Sequence, residues 1–340
     1  MSIAIRAMRV RYGSVATIIP SRQLPARRRA ARAAGEDYGR SALPSWRDID
    51  WREHLRHADV GGRRLNFVDI GVPDGDALIL IHGLSGRWAN WLENIPFFAQ
   101  DRRVIAVDLP GFGDSEMPAE RISITGYARC VEELCEQLDL GRADIVGNSM
   151  GGFVGAEMGI RYPDRVDGLV LVSAAGISIV NLRRDPLIAA AKMLAAAGAA
   201  SAAQRRAVLS RPAWTHAAFS IVFRHPTRMP RELLYEQMLG AGKDGFVPAM
   251  EALTSYDFTD RLPEVGARSL VVWGENDMLV PVGDAYEFER LIPDARALVL
   301  HDTGHCAMLE RPDTFNRHVK DFLDRRGAPS GAHGEETASA

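Results

Sequence analysis

A chain of 340 residues is more than one modest domain requires, so one large domain with an insertion and two domains both satisfy its length. Apolar residues supply 46% and charged residues 25%, enough for a sizeable core, which excludes a wholly disordered or fibrous protein. Basic side chains number 41 against 44 acidic ones, and a net charge of −3 gives no global attraction to nucleic acid or to an anionic membrane.

The charge is unevenly spread. Before Glu36 stand eight arginines (Arg6, Arg9, Arg11, Arg22, Arg27, Arg28, Arg29 and Arg32) and no carboxylate. Residues 1–44 read as an Arg-rich tail, although a transit segment or a nucleic-acid arm would share that composition. Val15–Pro20 is too short for the apolar core of a secretory signal, and Arg22 follows it directly. No run reaches the roughly 20 apolar residues that span a bilayer, so no stable membrane insertion is expected. The nearest run, Leu187–Ala203, is Ala-rich, carries Lys192, and reads as a helix lying on protein. Cys130, Cys135 and Cys306 are too few for a disulfide framework and form no CxxC metal pair. Cys130 and Cys135, five apart on one helical pattern, read as buried thiols, and the cysteine usage as a whole fits a cytoplasmic location.

From residue 59 onward, short apolar runs alternate with helical patterns, which predicts an α/β protein with a mostly parallel sheet. Arg64–Asp69 alternates in period two after a Gly61–Gly62 turn and suggests an exposed antiparallel strand. Ala77–Ile81, Val104–Val107, Asp144–Val146, Leu169–Val172, Ser269–Trp273 and Ala297–Leu300 are continuously apolar, as burial on both faces requires. Helical patterns cover Ile124–Leu138, Met150–Arg161, Gly283–Leu291 and Pro312–Arg325. From 177 to 256 no strand is evident, only helical pattern broken by prolines, and this reads as a helical cap inserted into the core segments 45–176 and 257–326. Leu187, Ile188, Met193, Leu194, Trp214, Phe219, Ile221, Val222 and Phe223 are its bulky members, expected to offer an apolar pocket or to hold the cap together. Residues 327–340 are small, polar and expected to be disordered.

One string carries chemistry. Gly147–Asn148–Ser149–Met150–Gly151 is a GxSxG motif set between a strand and a helix, the context that turns a common pattern into a nucleophile elbow. A serine there is held in strained backbone with its hydroxyl projecting, and side chains at Gly147 or Gly151 would collide across the turn. Serine needs a base, and the base needs an acid to orient it. Asp277 lies in the loop leaving the strand that ends at Trp273, and His305 lies in the loop after Ala297–Leu300. Both loops are expected at the carboxyl edge of the sheet beside Ser149. Glu275 is the rival acid and His301 the rival base, whereas Asp302 is too near His305 to orient its ring. His216, His225 and His318 read as surface residues, and His82, at a strand end before Gly83, as a loop brace. The expected oxyanion donors are the N–H groups of Met150 and Leu84.

Together His82–Gly83, Asp108–Ser115, Gly147–Gly151, Tyr162–Arg165, Gly274–Pro281 and Gly304–His305 resemble the α/β-hydrolase superfamily, specifically its capped serine hydrolases. The resemblance implies an eight-stranded, mostly parallel sheet with helices on both faces, the triad Ser149–Asp277–His305, and no metal or organic cofactor. Gly147–Gly152, Tyr162–Arg165 and Trp88–Ala89–Asn90 are also similar to carbon–carbon hydrolases of ring-cleavage products. The chain departs from those enzymes at Leu84–Arg87, where they carry a longer Gly-Pro-Gly loop, and at Cys306, where they place Trp. The expected activity is hydrolysis of a small-molecule acyl ester through an acyl-enzyme. The alternatives are carbon–carbon hydrolysis of a vinylogous diketone and a ligand receptor on the same scaffold. No nucleic-acid partner is expected, and monomer or homo-oligomer is left open.

Overall fold

The computed structural model describes residue 32, residues 34–42, 44–179 and 201–325. The expected tails up to residue 31 and from 327 to 340 lie outside the described residues, as do Leu187, Ile188, Met193 and Leu194 of the expected cap. Eight strands form one sheet: β1 (Leu55–Val60), β2 (Arg63–Gly71), β3 (Ala77–Ile81), β4 (Arg103–Val107), β5 (Ala143–Asn148), β6 (Val166–Val172), β7 (Arg268–Gly274) and β8 (Ala295–Leu300). Their order is β1-β2-β4-β3-β5-β6-β7-β8. β2 pairs antiparallel with β1 and with β4, and every other pairing is parallel.

Side-chain alternation divides the strand residues between two cores. Ile79, Ile81, Ile145, Leu169, Leu171, Val271 and Trp273 face one layer, while Leu78, Leu80, Val146, Val170, Val172, Leu270 and Val272 face the other. Both faces are covered, so these strands read as unbroken apolar runs. β1 (LRHADV) leaves most of its residues at least partly exposed and has no such run, which is why composition did not reveal it. Gly61 and Gly62, with φ of 59° and 74°, supply the positive φ that its tight hairpin to β2 demands.

The helices are α1 (Ile95–Phe98), α2 (Ile124–Gln137), α3 (Met150–Arg161), α4 (Ala202–Ser210), α5 (Pro212–Phe219), α6 (Arg231–Met238), α7 (Phe246–Leu253), α8 (Gly283–Leu291), α9 (Ala307–Glu310) and α10 (Pro312–Leu323). In α2 the Ser123 hydroxyl accepts from the Gly126 N–H and caps the first turn. Tyr127, Val131, Leu134 and Cys135, spaced on one helical face, are buried against the sheet. Burial pushes the Cys130 and Cys135 thiols up to about 12, so both stay protonated and inert at neutral pH. Among the described residues between β6 and β7 lie α4 to α7 and no strand. They have no core of their own: Phe246, Ala249 and Leu253 extend one core, while Leu209, Phe223, Leu233 and Leu234 extend the other.

One boundary moves. Residues 34–42, assigned to the tail on charge, pack on the folded body. Tyr38 is 6% exposed, and its hydroxyl donates to Glu310 Oε2 at 2.5 Å while accepting from the His225 N–H at 2.7 Å. Ser41 N donates to Glu93, Thr314 N donates to Asp37, and Gly39 N donates to the Glu310 carbonyl. Arginine counting misplaced this stretch because its anchors are one tyrosine, one carboxylate and backbone amides. Tyr38→Phe leaves a buried carboxylate and a half-buried N–H each short of one partner, so it is expected to cost about 1–3 kcal/mol. A lowered urea midpoint at unchanged slope would show this.

Candidate active site

Ser149 sits where β5 turns into α3, with φ 55° and ψ −114°. That backbone is strained for a serine and persists because it is over-determined. Ser149 N donates to the Val172 carbonyl at 2.9 Å, and the Ser149 carbonyl accepts from Ala175 N at 3.0 Å and Phe153 N at 3.1 Å. The turn is tight enough that a Cβ on Gly147 would lie 2.1 Å from the Gly151 carbonyl oxygen, and one on Gly151 would lie 2.1 Å from that of Ile81. Both positions therefore require glycine.

β7 and β8 end on the same side of the sheet as β5 and carry the other two groups. Asp277 Oδ2 accepts from His305 Nδ1 at 2.8 Å, with the two side chains 0% and 5% exposed. Asp277 Oδ1 accepts from Leu279 N at 2.8 Å and Val280 N at 3.0 Å, which fixes the plane of the carboxylate. A proton on Nδ1 leaves the Nε2 lone pair of His305 free to act as a base. The two loops are tied by Asn276 N donating to the Thr303 carbonyl at 2.8 Å, and Asn148 Nδ2 reaches the His305 carbonyl at 3.4 Å. The Ser149 hydroxyl makes no hydrogen bond among the described residues, a common state before substrate draws nucleophile and base together.

The expected oxyanion donors border the same spot. Met150 N is at the first helical position, where an N–H has no partner within the helix. Gly83 packs so closely that a Cβ there would lie 3.1 Å from the Ser149 Cβ, which brings the loop bearing Leu84 against the elbow. Neither the Leu84 nor the Met150 N–H is bonded among the described residues.

The rivals have other occupations. Glu275 Oε2 pairs with His301 Nδ1 at 2.6 Å on the surface, with side chains 40% and 63% exposed. Asp302 accepts from His225 Nε2 at 2.9 Å. Burial pushes the Asp302 carboxyl up, but hydrogen bonds from His225 and Arg224 outweigh it and hold the group below its usual value. His225 is thus half-buried and engaged, not the free surface residue expected; His318 is half-buried as well, and His216 is exposed. His82 Nε2 accepts from Leu109 N at 3.0 Å, so its Nδ1 donates to the Gly83 carbonyl at 2.7 Å. Burial lowers its pKa and keeps it a neutral loop brace.

Sequence reasoning passed over Glu310. Its carboxylate accepts from Gly304 N at 3.0 Å, Arg224 N at 2.8 Å and the Tyr38 hydroxyl, and it joins the His305 loop, the inserted segment and the N-terminal strap. A single acid directly after the apolar stretch Cys306–Leu309 was the available signal. His305 N also donates to the Val222 carbonyl at 2.9 Å, so the insert grips the His305 loop directly. Of the bulky insert residues, Phe219 and Phe223 are buried with ring centroids 5.7 Å apart, whereas Trp214 and Ile221 are exposed. The buried pair belongs to the core that the insert shares with the sheet.

Known proteins share this architecture. The family model described as alpha/beta hydrolase fold matches residues 76–312. The chain is 32% identical over 286 residues to the 2-hydroxy-6-oxo-6-phenylhexa-2,4-dienoate hydrolase of Comamonas testosteroni, covering 80% of this chain and 95% of that protein. It is 31% identical to the dihydrolipoyllysine-residue acetyltransferase component of the acetoin cleaving system of Pseudomonas putida, over 78% of this chain and 68% of that one. Among solved structures, the meta-cleavage product hydrolase of Pseudomonas fluorescens IP01 superposes with a TM-score of 0.63 at 26% identity, covering 80% of this chain and 98% of the other. With the elbow, the sheet order and a family match spanning most of the sheet, the chain belongs to the α/β-hydrolase superfamily.

Proposed function

We propose that the chain hydrolyses carboxylic esters of small molecules through an acyl-enzyme. The observation that carries this reading is the 2.8 Å Asp277–His305 pair at the same sheet edge as the strained Ser149. Ser149 Oγ attacks the ester carbonyl while His305 Nε2 takes its proton, and the Leu84 and Met150 N–H groups receive the oxyanion. His305 returns the proton to the departing alcohol, and Asp277 stabilises the imidazolium throughout. Water, deprotonated by His305, then releases the acid. Each oxyanion donor is worth about 3 kcal/mol of the barrier. The free, buried cysteines suit the reducing cytoplasm we propose for it.

A second reading, carbon–carbon hydrolysis of a ring-cleavage product, is favoured by the relatives that carry that activity in their names. Asn90, in the segment similar to theirs, is committed elsewhere: its Oδ1 accepts from Arg87 N at 2.9 Å and its Nδ2 donates to Gln237 Oε1 of α6. Parallel assays separate the two readings. Release of p-nitrophenol from esters of two to twelve acyl carbons is expected to exceed loss of a dienoate ring-cleavage chromophore. Faster loss of the chromophore would install the second reading, and labelling of Ser149 by a fluorophosphonate with neither turnover would make the chain a receptor.

A further inference from the structure

The last member of the N-terminal arginine run, Arg32, is part of the fold. Arg32 forms a parallel bridge to Leu300 on the outer side of β8, the sheet's edge strand, with its N–H on the Val299 carbonyl at 2.9 Å. There it lines a cavity of about 170 Å³ with Arg296 of β8, His318 and Asp321 of α10, Arg325 just beyond that helix, and Leu270 of β7. Three guanidiniums face one carboxylate. Among the described residues, none of Arg32, Arg296 and Arg325 forms a side-chain hydrogen bond or ion pair, whereas most arginines of the sheet and loops do; Arg103 holds Asp69 and Arg165 holds Glu132.

We propose that this cavity binds a phosphate-type anion, free or carried on a lipid headgroup. A surplus of two positive charges around a concave space raises the local concentration of anions and gains on binding what the empty site loses to repulsion. The repulsion is visible: burial, then the neighbouring Arg325 and Arg32, depress the Arg296 guanidinium below its ordinary range. Burial and Arg32 likewise lower His318, which enters the site as a neutral donor or acceptor. The Arg296 guanidinium lies 5.6 Å from the Phe322 ring centroid, which restricts the otherwise mobile side chain before any ligand arrives. The guanidinium fork matches phosphate oxygens in pairs, which makes arginine clusters suited to this ligand. The site is separate from Ser149. Leu270 lies four strand residues, about 13 Å, before Gly274, where the Asp277 loop begins.

The full chain is titrated calorimetrically with inorganic phosphate at constant ionic strength, and sedimented with phosphatidylcholine vesicles with and without phosphatidic acid. Saturable phosphate binding supports a free ligand, and sedimentation only with phosphatidic acid supports the lipid source. In either case Arg296→Gln combined with Arg325→Gln is expected to weaken binding about tenfold per guanidinium removed. Asp321→Asn, which deletes the opposing charge, should tighten it. Arg56→Gln on the opposite edge strand should change nothing, and ester hydrolysis should be unaltered in all of these variants. Absence of binding in both assays, or binding that Arg56→Gln weakens as much as the paired substitution, overturns the proposal.

Discussion

Replacing Ser149 by alanine is expected to lower kcat for a p-nitrophenyl ester by about 10⁶-fold, the loss seen when a serine hydrolase is stripped of its nucleophile. The residual rate above water would come from the oxyanion donors and from binding alone. Fluorophosphonate labelling should vanish with it, and a Ser149→Ala enzyme that kept the parent's rate would remove the acyl-enzyme from the mechanism. The same position holds a second effect of opposite sign. At φ 55° serine pays for its backbone, and glycine does not. Ser149→Gly is therefore expected to abolish turnover while raising stability by about 1 kcal/mol, or about 2 °C in Tm. A variant that lost both activity and stability would mean that the strain is relieved in some way the turn does not show.

The next largest loss is expected at Asp277→Asn, about 10⁴-fold in kcat. The direction follows from how the carboxylate is held. Leu279 and Val280 N–H groups both point at Oδ1, so an asparagine must put its carbonyl oxygen there and turn its NH2 toward His305. The Nδ1 atom must then accept, the proton moves to Nε2, and the atom facing the nucleophile can no longer receive a proton. Glu275→Gln, in the surface pair with His301, should leave the rate within about twofold, since exposed pairs of this kind carry little energy. Steady-state rates of the two variants side by side decide which acid serves His305. Equal losses would point to disruption of the loop and not to the tautomer.

Much of this was legible in the residues. The apolar runs gave the positions of β3 to β8, with Ala77–Ile81 unchanged, because runs this short and rich in Val and Ile suit strands buried on both faces better than helices. Met150–Arg161 and Gly283–Leu291 also stand at their expected bounds. The elbow could be read because its motif spans five residues between a strand and a helix, although only Gly147 is dictated within the turn and Gly151 answers to the carbonyl of Ile81 in β3. β1 could not be read, since an exposed edge strand of mixed polarity has no period to show. Nor could the strap at 34–42, whose partners Glu93, Glu310 and Thr314 lie far along the chain.

By itself the sequence determined the chemistry-bearing residue types and their order, since a nucleophile elbow, an acid loop and a histidine loop are each local constructions of backbone and neighbouring glycines. Their selection from rivals was a matter of tertiary structure. Glu275 and Asp277 are two residues apart, and which one meets His305 depends on the direction in which a loop leaves β7 and on the two amides that seize Oδ1. The composition likewise disclosed an arginine-rich beginning but not its consequence. Only the pairing of Arg32 with the edge of β8, through backbone atoms that every residue possesses, brings that charge beside Arg296 and Arg325.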